Sequence, residues 1–181
     1  MKNKFLAFIL CTVLIVVFSG CNSVERITGN EWLIVQESCF DDLESFCAGM
    51  DDVYALYISG EITASDFAVE VDILKEQYKM MYSSYEELKK NNPLKPESHS
   101  YLSLVGSEAM NNIYLTIEAT LNASLDSTGQ ALSIDNIAYM YLAQRQELTE
   151  YISQYTSSVA WVRAANGEWN DNSTIDEVVI S

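Results

Sequence analysis

The sequence predicts an all-α protein, an antiparallel up-down-up-down four-helix bundle with a short N-terminal tether and a loose C-terminal tail. Three observations support this fold class. Apolar residues recur in alternating steps of three and four along four separate stretches, which keeps them on one helix face. The 181 residues include only 7 Gly and 2 Pro, fewer than a protein with many tight turns usually needs. The segments between the stretches are short, so consecutive helices should be antiparallel neighbours.

The first two predicted helices cover residues 39–57 and 67–88. The pair Ser59-Gly60 should end the first of them, since glycine is the usual residue after a helix. Thr63 should cap the second, with Asp66 three residues later completing a box-like pair of hydrogen bonds. The apolar positions of the second are Phe67, Val71, Leu74, Tyr78, Met81, Tyr85 and Leu88.

The last two predicted helices cover residues 102–120 and 134–155. The run Asn91-Asn92-Pro93 should stop the second helix, and Pro96 can open the third at its first turn. The run Asp126-Ser127-Thr128-Gly129 is typical of a turn, and Ser133 is a suitable N-cap for the fourth helix. The fourth stretch places Gln144 in the middle of its apolar row, where its amide could bond a buried phenol.

The first 21 residues have the pattern of an export signal. Lys2 and Lys4 precede an almost wholly apolar run from residue 5 to 18, which is shorter than the roughly 20 residues that span a bilayer. The run ends in Phe18-Ser19-Gly20-Cys21, which resembles the lipobox of bacterial lipoproteins, although Leu is usual where Phe18 stands. The resemblance implies cleavage between Gly20 and Cys21 and a diacylglyceryl group on the Cys21 thiol. An ordinary secretory signal with a cysteine at the cleavage site is the alternative.

These features divide the chain into four parts. Residues 1–20 are the predicted signal peptide, 21–30 the lipidated tether, 31–165 the four-helix bundle and 166–181 a flexible or docked tail. The lipobox resemblance implies a location on the extracytoplasmic face of the cell membrane, or on an outer membrane if the envelope has one. Two acyl chains anchor a protein stably where one does not.

The charge of the chain excludes one class of partner. The 10 basic residues less Lys2 and Lys4 leave 8 against 26 acidic ones, a net of −18. Such a surface repels polyanions, so we expect no nucleic-acid partner. A solvated, solubilising surface is one explanation of the charge, and binding of cations or basic partners is the other.

Cys39 and Cys47 are the cysteines that remain after Cys11 and Cys21 are assigned to the leader and the anchor. Eight residues of one helix place their Cα atoms about 12 Å apart, beyond the reach of a disulfide. Two small buried side chains are therefore the first interpretation. A disulfide across a helix broken near Asp41-Asp42 is the second, and an intermolecular or redox role is the third.

The 11 tyrosines are the most unusual feature of the composition. Many of them lie on or beside the predicted apolar rows, as expected of a core with amphipathic edges. The alternative is an exposed aromatic surface that binds a peptide or a glycan. The candidates for that surface are Tyr54, Tyr82, Tyr114 and Tyr139.

The sequence contains no motif that would support an enzyme. His99, the single histidine, precedes the third predicted helix and has no nucleophile-elbow sequence to work with. We expect no catalytic residues, no metal site and no cofactor. The predicted function is a non-catalytic binding or scaffolding module of the bacterial envelope whose partner is an unknown protein, peptide or glycan. The alternatives are an enzyme with an unrecognised site, and a sensor or accessory subunit of a membrane transporter or signalling complex.

Overall fold

The computed structural model describes residues 26–95 and 99–166. These residues form five α-helices: α1 (Gly29–Val35), α2 (Glu37–Ile58), α3 (Ala64–Asn91), α4 (Tyr101–Ala123) and α5 (Ile134–Ala165). Extended pairing in these ranges is limited to two isolated bridges. The all-α prediction is confirmed.

The predicted helix ends at Ser59, Thr63, Asn91 and Ser133 are confirmed, whereas α5 runs ten residues beyond the predicted stretch that ended at 155. Thr63 and Asp66 form a complete capping box at α3, Ser133 caps α5, and α2 ends at Ile58 with Ser59 as its C-cap. The prediction for the start of the third helix was wrong. Helix α4 begins at Tyr101 rather than near Pro96. The Ser100 hydroxyl accepts a hydrogen bond from the Ser103 amide and so caps the helix at this position.

The helix that the sequence reasoning missed is α1. Thr28 and Glu31 cap it through reciprocal side-chain bonds. The backbone of Ile27 accepts from the Lys95 amide and donates to the Pro93 carbonyl. Residues 27–30, which we assigned to the predicted tether, therefore belong to the folded domain. Residues 1–25, including Cys11, Gly20 and Cys21, and the tail from 167 onward lie outside the described residues.

A side chain explains why α1 and α2 are separate helices. Gln36 joins them, and the hydroxyl of Tyr155 donates to the Leu33 carbonyl at 3.0 Å. In an uninterrupted helix the Leu33 carbonyl would accept a hydrogen bond from the backbone amide of residue 37. Insertion of a side chain into this ladder is a recognised cause of a helix kink.

The four long helices surround one core. Helix α5 packs most extensively on α4, and α2 contacts both α3 and α5. Pairs of contacting residues run in opposite order along α2 and α5, from Glu37 with Arg163 to Tyr54 with Tyr141. Helix α1 covers one end of this core, where it contacts α2, α4 and α5.

The close contact of α4 with α1 and α5 depends on Gly106. A Cβ at this position would lie 2.5 Å from a methyl carbon of Leu33 and 3.0 Å from the Cβ of Ser158. Only glycine allows the helices to approach to this distance.

Candidate functional site

A surface groove lies at the end of the bundle that α1 covers, and we call it the end groove. It lies among α1, α3 and α4 and has a volume of about 510 Å³. Its aromatic and apolar walls are Trp32, Tyr85, Leu94 and Leu104, and its polar rim consists of Lys89, His99, Ser107, Glu108 and Asn111.

The aromatic floor of the end groove is built by contacts between helices. The ring of Trp32 in α1 lies 6.2 Å from that of Tyr85 in α3, centroid to centroid. The Tyr85 ring in turn stacks on Tyr114 of α4 at 4.7 Å. Trp32 and Tyr85 are both buried within the bundle, so this floor presents only a small part of its aromatic surface to the groove. The Nζ atom of Lys89 lies 5.7 Å from the Tyr85 ring centroid, at cation–π distance.

Gly29 allows the first turn of α1 to sit directly on the start of α4. A Cβ on Gly29 would lie 2.5 Å from the Ser103 Oγ and 3.2 Å from the His99 Nδ1. Asn30 accepts a hydrogen bond from the Ser100 hydroxyl at 2.7 Å, which fastens the same two segments together. The groove therefore depends on α1, the helix absent from the sequence prediction.

Behind the groove lies a buried amide. Gln36 donates from Nε2 to the Trp32 carbonyl and to the Ser107 hydroxyl, both at 3.4 Å. Its Oε1 atom has no hydrogen-bond partner within the described part of the chain, and neither has the hydroxyl of Tyr114. Such groups lower stability unless a water or a ligand meets them.

A second, smaller pocket of about 200 Å³ lies between α2 and α5. Tyr141 donates its hydroxyl to Asp51, and the Arg145 Nε donates to the same carboxylate. Burial, with the adjacent Asp51 carboxylate as a further cause, raises the pKa of Tyr141 well above its usual range. This cluster joins α2 to α5 and leaves the phenol protonated at neutral pH.

The two cysteines lie on the uninterrupted helix α2, and both are free thiols. The predicted alternative of an intramolecular disulfide between Cys39 and Cys47 was wrong, because α2 has no break near Asp41-Asp42. Burial raises the pKa of the Cys47 thiol to about 12. A thiol in that state is a poor nucleophile at neutral pH.

The predicted aromatic surface does not exist as one surface. Tyr54 and Tyr114 are fully buried, which corrects their assignment as binding residues. Tyr82 is 37% exposed and contacts Tyr114 edge to face, whereas Tyr139 is 84% exposed on the outer side of α5. We expected Gln144 to form a hydrogen bond with a buried phenol. The hydroxyls of Tyr57, Tyr78 and Tyr155 instead donate to backbone carbonyls.

The sequence reasoning missed Trp32, Leu94 and Leu104. A signal for the first was present, because Thr28 and Glu31 have the same capping spacing as Thr63 and Asp66. Leu94 and Leu104 carried no signal, since their role depends on which helices meet at this end of the bundle.

The described residues contain neither a group that could hold a metal ion nor a helix that could span a membrane. In the ranges 26–95 and 99–166, no three acidic, cysteine or histidine side chains are grouped so that they could hold a metal ion. In the same two ranges, none of the helices has the length and apolar character needed to cross a bilayer. Neither a family model, nor a curated protein, nor a solved structure matches this chain.

Proposed function

We propose that this protein is a lipid-anchored envelope protein whose helical domain binds a partner without chemistry of its own. Cys21 carries the acyl chains, and the domain stands on the extracytoplasmic face of the membrane. The support for the anchor is the leader of residues 1–20 with Ser19 and Gly20 directly before the cysteine. Acyl chains each add about 0.8 kcal/mol of membrane affinity per buried methylene.

The domain that we propose for this role is an antiparallel up-down-up-down bundle of α2 to α5, with α1 as a cover at one end. The opposite order of contacting pairs along α2 and α5 supports this topology. The contact between Gly106 and Ser158 is also consistent with antiparallel helices, because Gly106 lies near the start of α4 and Ser158 near the end of α5. A short lipidated tether and a loose or docked tail from residue 167 onward complete the proposal.

The observation that carries the binding role is the shape and composition of the end groove. It is open and aromatic at its floor, with single polar groups at its rim. An open apolar surface of this kind suits the binding of an extended peptide or the face of a sugar ring. It suits catalysis less well, because a reaction usually needs a site from which water is excluded. His99 is exposed at the rim, and the Cys47 thiol is protonated and buried, so neither supports a catalytic role.

Photo-crosslinking in living cells tests the groove. A photoreactive amino acid is placed at Leu104, which lines the groove, and in a second strain at Leu115 on the same exposed face of α4. Both side chains are 52% exposed, so they sample solvent equally and differ in location. We expect an adduct of defined mass from position 104 only. The same adducts from both positions, or none from either, would remove the groove as the binding site.

Replacement of Cys21 by Ser tests the anchor. We expect the Cys21→Ser protein to be released from membranes without acyl chains, whereas the unchanged protein fractionates with membranes. A Cys21→Ser protein that stays membrane-bound and uncleaved would contradict the anchor. Mass spectrometry of the N-terminal peptide identifies the acyl groups directly. A bare Cys21 thiol on the mature protein would overturn the proposal.

A further inference from the structure

We infer that the end of the bundle covered by α1 rests on the headgroup region of an anionic bilayer, so that the long helices stand away from the membrane. This inference rests on the proposed lipid anchor at Cys21. Three separate observations support it: the place where the chain leaves the domain, the exposed aromatic residues there, and the distribution of charge along the bundle.

The chain enters the domain at this end. Ile27 is held against residues 93–95, and Asn30 is held against Ser100. Only five residues separate Cys21 from Ile27, a span of at most about 20 Å when extended. The anchored cysteine therefore keeps this end within reach of the membrane surface.

Two large aromatic side chains project from the same end. Tyr101, the first residue of α4, is 80% exposed, and Trp161, in the last turns of α5, is 65% exposed. Tyrosine and tryptophan are the residues that concentrate at the boundary between lipid and water, because the ring is apolar and its edge forms hydrogen bonds. Neither residue lines the end groove.

Exposed apolar side chains alone do not show which end of the bundle faces the membrane, because both ends have them. The far end, where α2 meets α3 and α4 meets α5, exposes Tyr139 at 84% and Leu142 at 70%. The two ends differ in charge. Eight basic residues follow the predicted signal segment, and five of them lie at the α1 end: Arg26, Lys89, Lys90, Lys95 and Arg163.

The far end has acidic residues without basic ones. Residues 52–74 and 113–144 contain no Lys or Arg, whereas they include Asp66, Asp72, Glu118, Asp126 and Asp135. The α1 end also carries acidic residues, among them Glu31, Glu87 and Glu108, and two of its cations are paired, Arg163 with Glu37 and Lys89 with Glu86. This end is therefore not positively charged, but an anionic surface repels it less strongly than the far end, and this difference orients the bundle.

The orientation has a consequence for the end groove. Leu94, Lys89 and His99 lie at the end that would face the headgroups. A ligand in the groove would then be held at the membrane surface, as a peptide segment of a membrane-embedded protein would be.

Quenching of tryptophan fluorescence by brominated lipid tests the orientation. The acylated protein is purified from membranes of cells that express the full chain and is reconstituted into vesicles of zwitterionic and anionic phospholipid with bromine near the headgroup. Three proteins are compared: the unchanged chain, Trp161→Phe, and Trp161→Phe combined with Tyr139→Trp. The third moves an exposed indole to the far end and leaves Trp32 and Trp169 as a constant background.

We expect the fluorescence that Trp161 contributes to be quenched at least about twofold more strongly than that of the indole at position 139. Equal quenching of the two, or none of either, would overturn the inference. The mass of the Cys21 peptide separates the two proposals. Missing acyl chains mean that the anchor fails, whereas an acylated protein whose Trp161 is not quenched loses only this orientation.

Discussion

Tyr54 and Tyr114 show at the residue scale what a phenol needs in order to be buried. Both are 0% exposed. The Ser124 hydroxyl donates its hydrogen to the Thr120 carbonyl, so its oxygen accepts a hydrogen bond from the Tyr54 hydroxyl. The Tyr114 hydroxyl has no such partner within the described residues. The two tyrosines therefore have equal burial and opposite hydrogen-bonding states.

This difference predicts opposite effects of the same substitution. Tyr54→Phe should lower the free energy of unfolding by about 1 kcal/mol, the usual net value of a hydrogen bond. Tyr114→Phe should raise it by about 1 kcal/mol, because it removes a polar group that was buried without a partner. Chemical denaturation of both variants at neutral pH measures these changes. Destabilisation by Tyr114→Phe would indicate that a bound water or ligand meets its hydroxyl.

The sequence predicted that tyrosines would be central to the core but not which of them would be accessible. Period and spacing place a residue on a helix face, which is why Tyr78 was expected near the core. Exposure at the edge of that face depends on how closely the next helix approaches. Tyr82 is 37% exposed and Tyr85 is 3% exposed, although they are three residues apart on α3.

At the scale of the elements, capping residues were the most informative part of the sequence. Thr63, Ser133 and the Ser59-Gly60 pair gave the correct helix ends because their hydrogen bonds are local. The break between α1 and α2 could not be read locally, since it is associated with Tyr155, more than a hundred residues away. The end groove was missed for the same reason.

The interface of α4 with α1 and α5 gives a prediction at this scale. Gly106→Ala places a methyl group 2.5 Å from a methyl carbon of Leu33 and 3.0 Å from the Cβ of Ser158, so Leu33 must repack in the core or the helices must move apart. We expect a loss of about 1 to 3 kcal/mol in the free energy of unfolding. Gly49→Ala in α2 is the matched control, because no heavy atom lies within 4 Å of its Cβ position.

The control should gain up to about 1 kcal/mol, since alanine loses less conformational entropy than glycine in a helix. Thermal unfolding of both variants, followed by circular dichroism, provides the measurement. If Gly106→Ala is as stable as Gly49→Ala, the close approach of the helices at Gly106 is not required for the fold.

At the scale of the whole molecule, the sequence predicted the fold class and the overall charge. It did not predict how the charge is distributed between the two ends of the bundle. The net charge of −16 is a single number, whereas its physical effect depends on which residues the topology brings to each end. Lys89 and Lys95 are distant in sequence from Arg163 and share an end with it only because α3 and α5 both finish there.

Protonated acidic groups in the core make the stability of the whole molecule sensitive to alkaline pH. Burial raises the pKa of Cys47 from 9.0 to about 12 and that of Tyr54 from 10.0 to about 12. Below about pH 8 the folded and unfolded chains hold the same protons at these groups, so their contribution to stability is constant. As the pH rises from 9 toward 12, the unfolded chain releases protons that the folded chain retains, and stability falls.

At pH 11 each of these two groups should lower the free energy of unfolding by roughly 1 to 3 kcal/mol relative to pH 8. Urea denaturation of the protein under reducing conditions at pH 8, 10 and 11 measures the change. Cys47→Ala should show a smaller fall over this range, whatever its stability at pH 8, because the thiol no longer contributes. A free energy of unfolding that stays constant between pH 8 and 11 would mean that these side chains reach solvent in the folded protein, and that the core between α2 and α5 is more open than its contacts indicate.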